Sequence, residues 1–254
     1  MGSLTGKTAL VTGASRGIGR AIAHRLAQDG ALVAVHYGEN GTAAREAVER
    51  IEEEGGRAFA VQARLGAPGD AETLFAGFDA ALEAIGEPVA LDILVNNAAT
   101  SRSGPIEKLT SETYERIFAV NVKAPLFLAQ LGLTRMRDGG RIVNVSSAAT
   151  RVAFPESIAY AMSKGAIDTL SLALAKAVGP RRITVNAVAP GFIATDMNAE
   201  RRANPEGAAL LAAASVFQRI GEPADVADMV AFLASDDSRW ITGQYIDVSG
   251  GTNL

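Results

Sequence analysis

Cysteine is absent from all 254 residues, which excludes disulfides, a thiol nucleophile and any cysteine-ligated metal centre. Its absence fits a reducing compartment. Positive charge is in deficit: 24 Lys and Arg stand against 28 Asp and Glu, a formal net charge of −4. No global cationic field is therefore available to hold nucleic acid or an anionic membrane. No apolar run reaches the ~18 residues of a membrane-spanning helix, and no repeat, low-complexity tract or interdomain linker breaks the chain. A signal-peptide apolar region is not expected, because the opening "MGSLTGKTALVTG" enters a strand pattern at once. Nor does that opening suit myristoylation, since position 6 is Gly where Ser or Thr is needed. What is present is 48% hydrophobic and 20% charged residues, enough to bury a sizeable core. A soluble, cytoplasmic single domain over 1–254 is the expectation, with no nucleic acid or membrane among its partners.

Short apolar runs alternate with longer amphipathic segments. "TALVT" (8–12), "LVAVH" (32–36), "AFAVQ" (58–62), "LDILVN" (91–96), "RIVNVS" (141–146), "ITVNAVA" (183–189) and "QYIDV" (244–248) read as strands. Most are nearly continuous in hydrophobicity, the pattern of strands buried on both faces. Helical patterns fall near 17–29, 41–54, 70–85, 111–119, 123–137, 157–178 and 223–234. This alternation predicts the α/β class: a doubly wound seven-stranded parallel sheet with helices on both faces. The stretch 191–222, polar around "NAERRANPEG", carries no strand pattern and reads as an insertion outside the sheet.

Two local patterns carry chemistry. After the first strand comes "TGASRGIGRAIAHRLAQDG", in which Gly13, Gly17 and Gly19 lie between a strand and a helix. At such a turn the backbone can approach a phosphate at the helix N-terminus. The second pattern is "YAMSK", which sets Tyr160 and Lys164 four residues apart on one helical face. An ammonium near a phenol lowers the phenol's pKa from its reference of ~10, a requirement for acid/base work near neutrality. No carboxylate follows the second strand at Tyr37, where NAD-preferring folds place one against the ribose 2′-hydroxyl. Arg16 stands inside the glycine turn, and guanidinium suits a phosphate. With His36 and Asn40 as further donors, NADP(H) is favoured over NAD(H), although Glu39 lies nearby.

"TGASRGIG" resembles the TGxxxGxG cofactor loop of the short-chain dehydrogenase/reductases, which adopt a Rossmann-type fold. Further segments match that family in chain order: "NNAA" (96–99), "VNVKA" around Asn121, "VNVSSAAT" with Ser147 thirteen residues before Tyr160, and "NAVAPGFIATDM" (186–197). The resemblance implies a catalytic tetrad of Asn121, Ser147, Tyr160 and Lys164. In it Tyr160 donates the proton, Ser147 stabilises the carbonyl oxygen, Lys164 tunes the phenol and holds the nicotinamide ribose, and Asn121 anchors a water through its backbone. It also implies cofactor contacts from Gly13, Ser15, Arg16, Gly17, Ile18, Gly19, His36, Tyr37, Leu65, Asn97, Ala98, Tyr160, Lys164, Pro190, Gly191, Ile193 and Thr195.

The chain departs from the family pattern at Ala99, at Arg64 and at Ser249, where relatives carry Gly, Asp and Asp. Thr150, Phe154, Phe192 and Met197 are the expected substrate pocket, an apolar set suited to a non-ionic carbonyl. The implied activity is NADPH-dependent reduction of a ketone or 3-oxoacyl thioester to a secondary alcohol, with no metal required. An NAD-dependent secondary-alcohol dehydrogenase and a catalytically inactive nucleotide sensor are the alternatives. A substrate delivered on an acidic carrier protein needs a cationic mouth, for which Arg135, Arg137, Arg141, Arg181 and Arg182 are candidates. The apolar circumference of "AIDTLSLALAKAV" and the family habit imply a homotetramer.

Overall fold

The computed structural model describes residues 3–101 and 104–254. Seven strands, β1 (Thr8–Val11), β2 (Leu32–Tyr37), β3 (Arg57–Gln62), β4 (Leu91–Asn96), β5 (Met136–Val145), β6 (Thr184–Pro190) and β7 (Tyr245–Val248), form one sheet. Their order is β3-β2-β1-β4-β5-β6-β7, and every pairing is parallel. The predicted seven-stranded, doubly wound architecture is therefore the observed one.

Alternation along each strand splits its side chains between two cores. Ala9, Val11, Val33, Val35, Ile93 and Val95 face one layer of helices. That layer is α1 (Gly17–Gln28), α2 (Gly41–Glu53) and α9 (Pro223–Ala234), which contribute Ile22, Leu26, Ile51, Val226 and Val230. Leu10, Leu32, Leu94, Ile142 and Val185 face the opposite layer, where Leu74, Phe75, Phe78 and Leu82 of α3 (Asp70–Ala84) and Leu128 of α5 (Ala124–Gly132) close the second core. Because the chain leaves β1 toward β2 but enters β4 on β1's other side, the crevice beyond the carboxyl ends of β1 and β4 is the topological switch point.

The largest departures from the expected boundaries lie between α4 (Ser111–Phe118) and β5. The helix expected over 111–119 is α4, and it runs through a π turn (Ala119–Lys123) directly into α5. The helix expected over 123–137 stops at Gly132, and β5 begins at Met136. There the Thr134 hydroxyl and the Arg135 guanidinium both donate to the Leu131 carbonyl, while Arg135 is also held by Asp79. Side chains thus take over the carbonyls of the last turn and end the helix. The insertion beyond β6 holds α7 (Ala199–Ala203) and α8 (Pro205–Ala213), and one bridge, Ile193 to Gly221, ties its ends together. Within the sheet, α6 (Ile158–Val178) packs across β5 and β6 and is joined to them by a buried polar ladder. Asn96 donates to Asn144 at 2.8 Å, and Asn144 donates to the Ser171 hydroxyl at 2.8 Å.

Candidate active site

The turn after β1 is fixed to the end of β4 by one hydroxyl. Thr12 Oγ1 accepts the amide protons of Asn97 at 2.9 Å and Ala98 at 3.0 Å. Asn97 returns its side-chain amide to the carbonyls of Thr12 and Gly13. So close an approach needs glycine: a Cβ on Gly19 would lie 2.3 Å from the Gly13 carbonyl oxygen and 2.4 Å from Asn97 Nδ2. Gly13 and Gly17 have φ of +64° and +55°, the left-handed region. Helix α1 then starts with no acidic residue in its first turn, and Arg16 at its N-cap has extended backbone and supplies no side-chain cap. Its first amides are thus left to an external acceptor, which fits a dinucleotide pyrophosphate. Thr195 closes over this turn, its Cγ2 lying where a Gly17 Cβ would come within 3.3 Å.

His36 corrects an expectation. Its Nδ1 accepts from the Gly13 amide at 3.0 Å and its Nε2 bonds the Ala63 carbonyl at 3.0 Å, so neither nitrogen is left for a phosphate. Burial lowers its pKa to about 4, against the Ala63 hydrogen bond, so it stays neutral and braces the glycine turn. Asn40 is exposed and caps α2 through Oδ1, which accepts from Ala43 N–H, so the cap does not use its side-chain amide donor. Arg16 remains: its side chain is 71% exposed, and its ion pair to Asp196 at 3.6 Å is equally open to solvent. Glu39 is paired with Arg64 at 3.6 Å, also at the surface. Tyr37 is half-buried with its ring beside Gly41. Ser15 and Ile18 are half-buried in the glycine turn, and Leu65 is half-buried at the end of β3. Pro190 ends β6, and Gly191 admits the C-terminal tail, since a Cβ there would sit 2.4 Å from Thr252 Oγ1. Ile193 is buried beneath the insertion.

The catalytic candidates converge at the end of β5. Ser147 Oγ accepts from Ala149 N–H at 3.2 Å, leaving its own proton to donate. Its hydroxyl lies near enough to the Tyr160 phenol to oppose the stronger effect of burial, which raises that phenol's pKa. Ser146 is buried, and among the described residues its Oγ has no hydrogen-bond partner. Lys164 is 3% exposed and donates to the Val145 carbonyl at 2.7 Å. Its Nζ lies 5.7 Å from the centre of the Tyr160 ring. Desolvation lowers the lysine's pKa to about 8, with Asp168 opposing. The expected electrostatic lowering of the phenol by Lys164 is not what this geometry gives: burial, not the ammonium, dominates Tyr160. Asn121 sits in the π turn, and its side chain both accepts from and donates to the Thr100 backbone at 2.9 Å. It also donates to Ser163 Oγ, which bonds the Tyr160 carbonyl.

Of the pocket candidates, Phe154 and Phe192 meet edge to face with centres 5.6 Å apart, and the Arg201 guanidinium lies 5.9 Å from the Phe192 ring. Met197 is exposed on the turn preceding α7. Thr150 is half-buried, its hydroxyl 3.1 Å from the Ser147 carbonyl and 3.4 Å from the Tyr245 phenol. Sequence reasoning overlooked Thr12, though it stands in the quoted glycine motif. It also overlooked Arg202, which donates to Asn198 Oδ1 and the Thr195 carbonyl and which no pattern singled out.

The buried neutral His36 has a pH signature. Its folded pKa of about 4 lies below the unfolded 6.5, so the unfolded chain binds the extra proton between those values. Stability from this group is full above pH 6.5 and falls as pH drops toward 4, by about 3 kcal/mol in total. Urea denaturation across that range should show the slope in wild type, and His36→Gln should flatten it. An unchanged slope would mean His36 is not the group responsible.

Comparison with known proteins places this geometry in a family. The family model described as enoyl-(acyl carrier protein) reductase matches residues 13–253. Versicolorin reductase stcU of Emericella nidulans is 42% identical over 259 residues, covering 98% of this chain and 96% of that protein. Among solved structures, the angucycline C-6 ketoreductase LanV with bound NADP is 54% identical, with a TM-score of 0.96 over 100% of this chain and 98% of that one. The reductase LugOII, which catalyses keto-reduction at C1 during lugdunomycin biosynthesis, is 54% identical, with a TM-score of 0.95 and 99% of each chain covered. The chain belongs to the short-chain dehydrogenase/reductases and is an NAD(P)-dependent oxidoreductase.

Proposed function

We propose that the protein is an NADPH-dependent ketoreductase acting on a polycyclic aromatic ketone of the angucycline type. The observation that carries the reading is the meeting of Ser147 and Tyr160 at the end of β5, with the aromatic pair Phe154 and Phe192 contributed by adjoining loops. Edge-to-face aromatic walls suit a flat, fused-ring substrate. Two whole-chain relatives at 54% identity reduce ketones of such biosynthetic routes, one of them solved with NADP and, in a second structure, with NADP and rabelomycin.

The dihydronicotinamide, when bound, supplies hydride to the carbonyl carbon. Tyr160 gives its phenolic proton to the carbonyl oxygen, and burial keeps that proton on the ring until it is needed. Ser147 donates a hydrogen bond to the same oxygen as negative charge develops there. Lys164, largely protonated below its pKa of about 8, supplies the positive charge beside the phenolate left on Tyr160. Arg16, free of any buried partner, takes the 2′-phosphate. The exposed Asp196 contact it would give up is worth at most about 1 kcal/mol.

A free ketone is favoured over a carrier-bound one. Arg135, Arg137, Arg141 and Arg181 are each paired with a carboxylate, Asp79, Asp92, Asp236 and Asp138 respectively, so they offer little unspent charge to an acidic carrier. The protein works in the cytoplasm as a homotetramer, a reading supported by the apolar surface left exposed at Leu126 and Phe127 on α5 and Met162 and Leu172 on α6. Sedimentation as a monomer at micromolar concentration would overturn the assembly.

Steady-state turnover should favour polycyclic aromatic ketones over 3-oxoacyl thioesters with NADPH as donor. The reverse preference would sink the substrate assignment. Tyr160→Phe should lower kcat by roughly a hundredfold or more while NADPH still binds, and substantial turnover in that variant would remove Tyr160 as proton donor. Arg16→Ala should weaken NADPH about tenfold more than NADH, the order of one charge-assisted contact. Equal weakening of both nucleotides in a fluorescence titration would dismiss the 2′-phosphate role.

A further inference from the structure

One half-buried ionisable group next to the catalytic residues has no part in the steps above. Asp168 lies one helical turn beyond Lys164 on α6, on the face that also carries Tyr160 one turn before it. Its Oδ1 is fully buried and closes no hydrogen bond, and the same holds for Ser146 Oγ, although the Ser146 hydroxyl is near enough to counter the effect of burial on the carboxyl. The Thr150 hydroxyl acts on the same carboxyl. Ser146 and Thr150 bracket Ser147 in sequence. Moreover, the Ser147 carbonyl is within reach of two hydroxyls at once, Thr150 Oγ1 at 3.1 Å and Tyr245 at 3.4 Å. The Arg151 guanidinium covers the Tyr245 ring at 3.9 Å and completes the cluster.

We infer that Asp168 is a positioning residue of the active site: one helical turn from Lys164 on the same face of α6, its carboxylate supplies the counter-charge for the buried Lys164 ammonium. Along α6 it faces Lys164, which among the described residues donates to the neutral Val145 carbonyl. The ionisable groups facing Asp168 are Lys164 on its own helix, Arg151 from the loop after β5, and Tyr245 at the head of β7, whose phenol also feels Asp247. Tyr160 is the other ionisable group at Lys164. Burial pushes the Asp168 carboxyl above the usual carboxylate range, with the two hydroxyls, Arg151 and Lys164 acting against that rise. On the lysine, Asp168 works in the opposite sense to desolvation, so its loss lowers the pH at which Lys164 gives up its proton.

The chain has five lysines, few enough for direct observation. In protein carrying ¹³Cε-labelled lysine, the Lys164 resonance is assigned by its absence from Lys164→Met and titrated in wild type, Asp168→Asn and Asp168→Glu. Wild type should titrate near pH 8, Asp168→Asn at lower pH, and Asp168→Glu close to wild type. In parallel, kcat with NADPH and a polycyclic aromatic ketone should fall roughly tenfold or more in Asp168→Asn, with the alkaline limb of its pH profile moved to lower pH and KM little changed. An Lys164 titration identical in wild type and Asp168→Asn would overturn the proposal whatever the substrate proves to be. Should Asp168→Asn fail to fold, Asp168→Ser, smaller and still polar, gives the same reading.

Discussion

An ammonium group held out of water governs the layout of this site. Removing a cation from solvent costs several kcal/mol unless protein partners replace the lost hydration. Lys164 meets that demand with a strand carbonyl, Val145, at 2.7 Å and with the carboxylate one turn along its own helix. The requirement fixes α6 against the carboxyl end of β5. It thereby fixes everything else that α6 carries at four-residue intervals: Tyr160 on one side of the lysine and Asp168 on the other. The Asn96–Asn144–Ser171 ladder secures the same helix further along, so its rotation about its own axis is set by polar contacts at two levels. Packing alone would specify that rotation weakly, because α6 is apolar around much of its circumference.

On the other side of the switch point the constraint is space instead of charge. The β1 turn and the β4 end approach so closely that glycine is needed at 13 and 19, and Thr12, Asn97 and His36 hold the two together. His36 does this only while neutral, and its burial ensures that. A histidine charged at neutral pH would have no acceptor to offer the Gly13 amide. The polar side chains around the nucleotide cleft therefore divide into those that build it, such as His36 and Thr12, and those left exposed at its edge, such as Arg16.

That division explains what was legible in the sequence. The sheet and its order of elements followed from strand periodicity, because buried parallel strands read as near-continuous Val and Ile runs. The glycine turn was legible from the need for glycine, and the Tyr160–Lys164 pair from helix geometry, whereas Asn121 and Ser147 entered only through the family resemblance. Residues whose role depends on which way a side chain turns were not. His36 read as ligand-facing, yet it is satisfied within the framework. Thr12 and Arg202 act through contacts with residues 85 and 7 positions away, and no local pattern reports the first of these. The end of α5 was misplaced for a similar reason: the hydroxyl of Thr134 and the guanidinium of Arg135, the latter anchored on distant Asp79, stop a helix that hydrophobic periodicity would have continued.

The segment after β6 joins these two halves. Thr195 packs over Gly17, its neighbour Asp196 pairs with Arg16, and Arg202 holds the Thr195 carbonyl from α7. Phe192, the aromatic wall, lies three residues before Thr195 and is covered from the same helix by Arg201. Contacts to the nucleotide side and to the substrate side are thus made within one short stretch of chain. The Arg16–Asp196 pair is exposed and weak, so a phosphate can replace the carboxylate at little cost. The Thr195 contact is steric and does not depend on that exchange. A nucleotide seated on the glycine turn therefore meets a segment whose position is already set, and the geometry of the aromatic wall is set with it.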